Sequence, residues 1–327
     1  MDKPRIPVGT HPIEQQQYIL PTLEILRLMD AVKQRIINGS PGMIVYGRPR
    51  LGKTFSTIFA VNYLPLELGM TIPIFLAKCK QYKAPNEEKF YRDLLIDFEF
   101  NYTAKKDPVQ LRQQIVSLFQ ERGERSTLRR IVLVMDESQR MTEWQYNCLM
   151  DIYNDLIQAQ IRMTVISVGQ EELLERRSFF LVHKKGQIIG RFMTGEHQFH
   201  GICSEKELSF CLQNYDESEY PENSGWSYSR YFFPDAFADG KRLADFGKGL
   251  FDLFIEIRKE YGLTGKLEIP MEYFALTVEN ALKTYGANGK CCDWMTIGQW
   301  RDSIKQSGYI ESEIFMAIAE KKGEAAT

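Results

Sequence analysis

No stretch of the sequence is apolar for long enough to cross a bilayer. Runs such as Ile131-Val132-Leu133-Val134-Met135 fall far short of the roughly 20 residues a spanning helix needs. Met1-Asp2-Lys3-Pro4-Arg5 leads into no apolar signal core, so the chain is expected to stay unexported. Cysteine is sparse: six residues, no Cys-x-x-Cys, and an adjacent pair, Cys291 and Cys292, badly spaced for a mutual bridge. A disulfide scaffold is excluded, and free thiols in a reducing compartment are expected. The four histidines, with none read as a ligand pair to a cysteine, argue against zinc. No internal repeat is visible. Net charge is nearly absent too, at −2, which excludes a protein that is basic all over.

What is present is ordinary globular composition, 44% hydrophobic and 26% charged, so the 327 residues can build one large domain or two modest ones. The small net charge hides local imbalance. Residues 176–191 carry Arg176, Arg177, Lys184, Lys185 and Arg191 with no acid, whereas residues 205–222 carry six acids and one base.

Periodicity orders the chain. Ile25, Leu28, Met29, Val32 and Ile36 predict a helix over 22–37, broken by Asn38-Gly39-Ser40-Pro41-Gly42. Met43-Ile44-Val45-Tyr46 reads as a buried strand leading into Gly47-Arg48-Pro49-Arg50-Leu51-Gly52-Lys53-Thr54 and a helix to about Tyr63. Further strands are expected at 72–77, 131–135 and 163–168, with helices at 86–98, 108–121 and from the Thr142-x-x-Gln145 capping box to about Gln160. This alternation predicts an α/β fold, a parallel sheet covered by helices on both faces. From about residue 203 only helical patterns appear, at 243–261 and 270–285, around an aromatic, acidic stretch at 215–237. The expected domains are a core over 1–200, a helical lid over 201–285 and a tail over 286–327, in which Trp294, Ile297, Trp300 and Ile304 suggest a short amphipathic helix.

Gly47-x4-Gly52-Lys53-Thr54 has every defined position of a phosphate-binding loop, in the strand–loop–helix context it requires. Such a loop turns backbone N–H groups onto the phosphates of ATP and presents a helix N-terminus to them. Lys53 is placed to neutralise the β- and γ-phosphates, and the Thr54 hydroxyl to ligate Mg²⁺. Asp136-Glu137, at the tip of the third strand and with one further strand intervening in sequence, supplies the second half. Asp136 reaches the magnesium, and Glu137 polarises the attacking water as general base. Gln170, or Ser167, at the tip of the fourth strand is placed to orient that water or sense the γ-phosphate. Arg191, with Arg176 and Arg177 as rivals, lies where an arginine finger from a neighbouring copy would be expected.

With these residues the sequence resembles the AAA+ ATPases, over about residues 20–285. Asp136-Glu137-Ser138-Gln139 and Val168-Gly169-Gln170-Glu171-Glu172-Leu173 bring it nearer the TniB/TnsC/MuB kind that regulate DNA transposition. The resemblance implies an AAA+ core with a helical lid, Mg-dependent ATP hydrolysis, and an ATP-bound homo-oligomer, ring or filament, around double-stranded DNA. It also implies a transposase and a target-selection protein as partners, no membrane, and a bacterial cytosol or nucleoid location. Arg242, in Gly240-Lys241-Arg242-Leu243, falls where this branch carries a lid sensor of the γ-phosphate. Arg48, Pro49 and Arg50 depart from the small residues common in such loops, and the 215–237 stretch with its eight aromatics matches nothing in the family.

Lys78, Lys80, Lys83 and Lys89, interleaved with Tyr82 and opposed nearby by Glu87 and Glu88, are the expected DNA phosphate contacts. Thr103, Lys105 and Lys106 form a second such cluster. No helix-turn-helix or zinc-finger signature accompanies them, so binding is expected to ignore base sequence. Two other readings share the ATP site: a replication-type helicase loader or initiator, and an ExeA-like protein-remodelling motor.

Overall fold

The computed structural model describes residues 3–100 and 107–324. In chain order the elements are α1 (Pro12–Gln15), α2 (Leu23–Ile37), β1 (Gly42–Tyr46), α3 (Lys53–Leu68), β2 (Ile74–Lys78), α4 (Glu87–Asp97), α5 (Pro108–Glu124) and β3 (Arg130–Asp136). Then follow α6 (Glu143–Gln158), β4 (Arg162–Gly169), α7 (Glu172–Val182), α8 (Gly186–Phe192) and β5 (Gly195–Gln198). The remainder is helical: α9 (Glu205–Glu217), α10 (Tyr228–Phe232), α11 (Pro234–Ala238), α12 (Gly247–Glu260), α13 (Met271–Tyr285), α14 (Ile297–Gln306) and α15 (Tyr309–Glu324). No helix among the described residues is long and apolar enough to cross a membrane.

Two compact units emerge. One comprises Ile25–Pro49 and Lys53–Phe199; the other comprises the chain up to Glu24, Arg50–Gly52 and everything from His200 on. The first holds a five-stranded sheet in the order β2-β3-β4-β1-β5, with every adjacent pair parallel. All five residues of β1 are buried, as are the middle residues of β3 and β4, because helices cover both faces. Strands buried on both faces need near-continuous apolar runs, which is what made them visible in the sequence. β5 was not expected: Gly-Glu-His-Gln lies on the sheet edge with its polar residues partly in solvent, so it carries neither an apolar run nor a clean alternation. Helix α3 also runs past the expected end near Tyr63 to Leu68, keeping Pro65 within its last turn. There the ring costs the helix the one bond that an N–H at residue 65 would have made to the Val61 carbonyl.

The second unit has its own core. Trp300, Phe254, Phe274, Tyr215 and Tyr309 are all fully buried in it. Of the aromatics at 215–237, Tyr215, Trp226, Tyr228, Tyr231, Phe232 and Phe233 are buried, so this stretch is largely interior packing. It closes on His11 from α1's N-cap, whose ring stacks on Tyr231 at 4.6 Å between centroids. The amphipathic helix expected near 294–304 is α14, and it turns Trp300 and Ile304 into the same core. Truncating a fully buried tryptophan removes its packing and leaves a cavity, so Trp300→Ala is expected to destabilise this unit by about 3–5 kcal/mol. Chemical denaturation followed by tryptophan emission and circular dichroism measures it; a loss below about 1 kcal/mol would show that α14 contributes no core packing.

Candidate nucleotide-binding site

β1 delivers the chain to Gly47, and helix α3 begins at Lys53. β3 ends at Asp136. Because β1 and β3 lie parallel on either side of β4, their C-terminal tips open on one edge of the sheet. Ligands of open parallel sheets bind at this edge.

Lys53 is nearly buried, and its Nζ donates to the carbonyls of Gly47 at 2.8 Å and Arg48 at 2.6 Å. The ammonium is thus held inside the loop. Burial lowers its pKa, against the pull of the Glu137 and Asp136 charges, which raise it. Thr54, one residue on, donates its hydroxyl proton to Asp136, with Oγ1 at 3.0 Å from Oδ1 and 3.1 Å from Oδ2. The Asp136 carboxyl is pushed up by burial, opposed by the Thr54 bond and by the backbone N–H of Glu137. Both charges are therefore disfavoured by desolvation, the ammonium and the carboxylate alike. An anionic ligand over Lys53 and a cation beside Asp136 would relieve each. The Thr54 hydroxyl and Asp136 carboxylate are adjacent hard oxygen donors, the set that Mg²⁺ takes. A cavity of about 250 Å³ adjoins them, lined also by Lys78, Asp97, Leu76 and Val134.

Glu137 adopts the left-handed conformation, φ 57° and ψ 35°. That backbone is strained for a non-glycine residue, and at functional sites such strain aims a side chain. Here the side chain is pinned: Oε2 accepts from Gln139 Nε2 at 3.0 Å and lies 3.2 Å from Arg140 Nη2. The Gln139 amide also reaches the fourth strand's tip, where the Gln170 backbone N–H donates to its Oε1 at 3.3 Å. Gly169 makes this bridge possible, since a Cβ there would meet Gln139 Oε1 at 2.4 Å. Gln139 and Arg140 were missed as site residues. A glutamine two residues beyond the acid was a visible signal, but its partner depends on a glycine from another strand.

The structure thus brings together Gly47, Arg48, Lys53, Thr54, Asp136, Glu137 and Gln170. Ser167 is fully buried within β4. Arg176 donates to the Gln139 carbonyl at 3.1 Å, and Arg177 pairs with Glu196 at 2.7 Å, so both rival fingers have partners within their own unit. Arg191 reaches Asn154 Oδ1 at 3.4 Å and lies 5.6 Å from the Tyr153 ring centroid. In the other unit, Arg242 donates to the carbonyls of Phe237 and Lys241 and stacks on the Phe237 ring at 3.6 Å. Arg50, exposed and at φ 64°, donates to Tyr273 Oη at 2.6 Å and stands 3.6 Å from the Glu272 carboxylate. Of its neighbours, Leu51 is buried and Pro49 exposed.

The lysines beyond β2 divide. Lys78 pairs in register with Asp136 and lines the cavity beside it. Lys80 forms an ion pair with Asp93 at 3.1 Å, Lys83 is exposed, and Lys89 Nζ lies 5.7 Å from the Tyr82 ring centroid. The sequence neighbourhood offered only Glu87 and Glu88 as opposing acids; the fold returns Asp93 and Asp97 from the far turns of α4, where Tyr82 Oη donates to Asp93 and the Lys78 N–H to Asp97. Thr103, Lys105 and Lys106 lie outside the described residues.

Comparison with known families and structures bears on the fold. An AAA domain matches residues 37–176, a span that takes in the phosphate loop, Asp136, Glu137 and Gln170. No curated protein matches the sequence. Among solved structures, the ORC2 protein of Aeropyrum pernix in its ADPNP–ADP complexes is similar in fold, with TM-score 0.55 at 14% identity, covering 91% of this chain and 71% of that one. Its ADP form gives TM-score 0.54 at 14% identity over 90% and 72%. The fold is that of the AAA+ P-loop ATPases, a parallel five-stranded sheet with flanking helices and a helical C-terminal region, as the sequence resemblance implied.

Replacing Lys53 with alanine is expected to weaken ATP binding at least about tenfold, since its buried ammonium is the cation placed for the β- and γ-phosphates. Glu137→Gln is expected to slow hydrolysis by about 10²–10⁴ and leave ATP affinity intact, because a neutral amide accepts no proton. Calorimetry and single-turnover phosphate release measure the two effects. A Glu137→Gln protein that hydrolyses ATP at the wild-type rate would transfer the base to another residue.

Proposed function

We propose that this chain is a Mg-dependent ATP hydrolase whose ATP-bound form oligomerises on duplex DNA, and that it regulates transposition by recruiting or activating a transposase at the target. The observation that carries the ATPase half is the joining of the two strand tips: Lys53 inside the loop, Thr54 bonded to Asp136, and Glu137 aimed by Gln139 and Arg140. In this reading Thr54 and Asp136 hold Mg²⁺, which shields the phosphate charge, and Lys53 takes the β- and γ-phosphates. Glu137 accepts the proton of the attacking water. Gln170 orients that water or senses the γ-phosphate. Arg191 enters a neighbour's site as the finger, a role worth about 10³–10⁵ in rate for such residues, and Arg242 serves as the lid sensor.

The DNA half rests on the lysines beyond β2 and on the family resemblance. Lys83 and Lys89 are exposed and carry their charge into solvent, whereas Lys80 shares its charge with Asp93. Phosphate neutralisation through Lys80, Lys83 and Lys89 makes binding salt-dependent and indifferent to base sequence. Thr103 and Lys105 belong to the same proposed surface, and Lys78 joins it from the nucleotide side. The transposition assignment comes from the sequence resemblance at 136–139 and 168–173. A replication-type initiator or helicase loader is the second reading, favoured by the likeness in fold to the A. pernix ORC2 protein across most of both chains.

Fluorescence anisotropy on unrelated duplexes tests the DNA surface. Lys80→Ala/Lys83→Ala/Lys89→Ala is expected to weaken ATP-dependent binding equally on all sequences. It should also reduce the slope of log affinity against log salt by about 0.9 for each phosphate no longer neutralised. An unchanged slope would remove these lysines from the interface. Co-purification of the ATP-trapped Glu137→Gln oligomer with an integrase-type transposase supports the first reading; capture of a replicative helicase instead supports the second.

A further inference from the structure

The second unit holds a cluster that neither the ATP site nor the DNA surface uses. His200, Cys203 and Glu268 place His200 Nδ1, Cys203 Sγ and a Glu268 carboxylate oxygen all within 4.8 Å of one another. His200 Nδ1 and Glu268 Oε1 are 3.5 Å apart. In a tetrahedral zinc site, bonds of about 2.0–2.3 Å put neighbouring ligand atoms roughly 3.3–3.8 Å apart, so this edge already has the right length. The His200 side chain is partly exposed.

The backbone builds the cluster. Ile202 and Ile269 form an antiparallel bridge with reciprocal hydrogen bonds of 2.9 Å, which fixes 200–203 against 268–269. Gly201 is needed for that approach: a Cβ at this position would lie 2.4 Å from the Ile269 carbonyl oxygen. The Gly201 N–H then donates to Glu268 Oε1 at 3.0 Å and holds the carboxylate between the two flanking ligands. On the other side the Cys203 N–H donates to Glu207 Oε2 at 2.8 Å, which ties the Cys203 backbone to the first turn of α9. Such outer hydrogen bonds orient ligands in built metal sites. The thiol is half-buried.

We infer that His200, Cys203 and Glu268 bind one divalent zinc-class cation, with water as fourth ligand, fastening the 200–203 segment to 268–269. The donor set of imidazole nitrogen, thiolate and carboxylate suits Zn²⁺ and not Mg²⁺, which prefers oxygen alone. Binding forms the metal–sulfur bond as the S–H bond gives its proton to solvent: R–SH + M²⁺ → R–S–M⁺ + H⁺. The sequence argued against zinc because its histidines and cysteines form no familiar ligand pattern. His200-x-x-Cys203 is nonetheless a ligand pair, and its third member comes from far along the chain.

The full-length chain, stripped with chelator and free of nucleotide, is titrated with Zn²⁺ by calorimetry and with Co²⁺ by absorption. One equivalent is expected to bind, the Co²⁺ complex showing a thiolate-to-metal charge-transfer band in the near ultraviolet. Cys203→Ser is expected to abolish the band, and His200→Ala, at an exposed position that folding tolerates, to weaken Zn²⁺ binding at least about 100-fold. Cys291→Ser/Cys292→Ser should keep both. Absence of stoichiometric binding, a band that survives in Cys203→Ser, or unchanged Zn²⁺ affinity in His200→Ala would overturn the inference.

Discussion

The hydrogen bond from Thr54 to Asp136 joins two pieces of chain that the sequence keeps far apart. One belongs to the helix after β1, the other to the tip of β3, and the two strands never pair, because β4 lies between them. Their meeting requires that all three strands run the same way and end at one level. The register secures this: Tyr46 pairs with Gly169, and Met135 with Ser167. A slip of one residue would turn each buried strand residue to the opposite face and separate the hydroxyl from the carboxylate. The chemistry of the site therefore depends on the packing of a sheet buried on both faces.

That packing also supports the strain in the site. Glu137 in the left-handed region costs on the order of 1–3 kcal/mol, which surrounding contacts must offset. Gln139 and Arg140 contribute by holding the carboxylate, while Gly169 leaves the space that Gln139 needs. Burial raises the Asp136 pKa and lowers that of Lys53, so folding alone leaves both charges short of solvation. An anionic ligand with its cation would supply what each lacks.

Much of this was legible in the sequence, and the parts that were not share a cause. The apolar runs of β1, β3 and β4 and the Gly47–Thr54 pattern are local signals, and the AAA+ core follows from them. β5 was invisible because an edge strand of Gly195, Glu196, His197 and Gln198 has no apolar run to betray it. The role of Gln139 depends on Gly169, and the neutralisation of Lys80 depends on Asp93 returning along α4; both are facts of tertiary proximity. The aromatic stretch at 215–237 packs inside its unit, but its partners include His11 near the other end of the chain, a proximity that no local pattern shows. Burial there lowers the His11 pKa to about 4, so the ring packs as a neutral aromatic among aromatics.

The central claim is that the β1 and β3 tips form one triphosphate site. A structure determined with magnesium and a non-hydrolysable ATP analogue tests it most directly. The account predicts the β- and γ-phosphates inside the loop of residues 47–54, Lys53 Nζ turned from the Gly47 and Arg48 carbonyls to the phosphates, and one Mg²⁺ touching both Thr54 Oγ1 and the side of Asp136. A well-folded protein that shows no nucleotide at saturating analogue, or holds it away from Thr54 and Asp136, would contradict it.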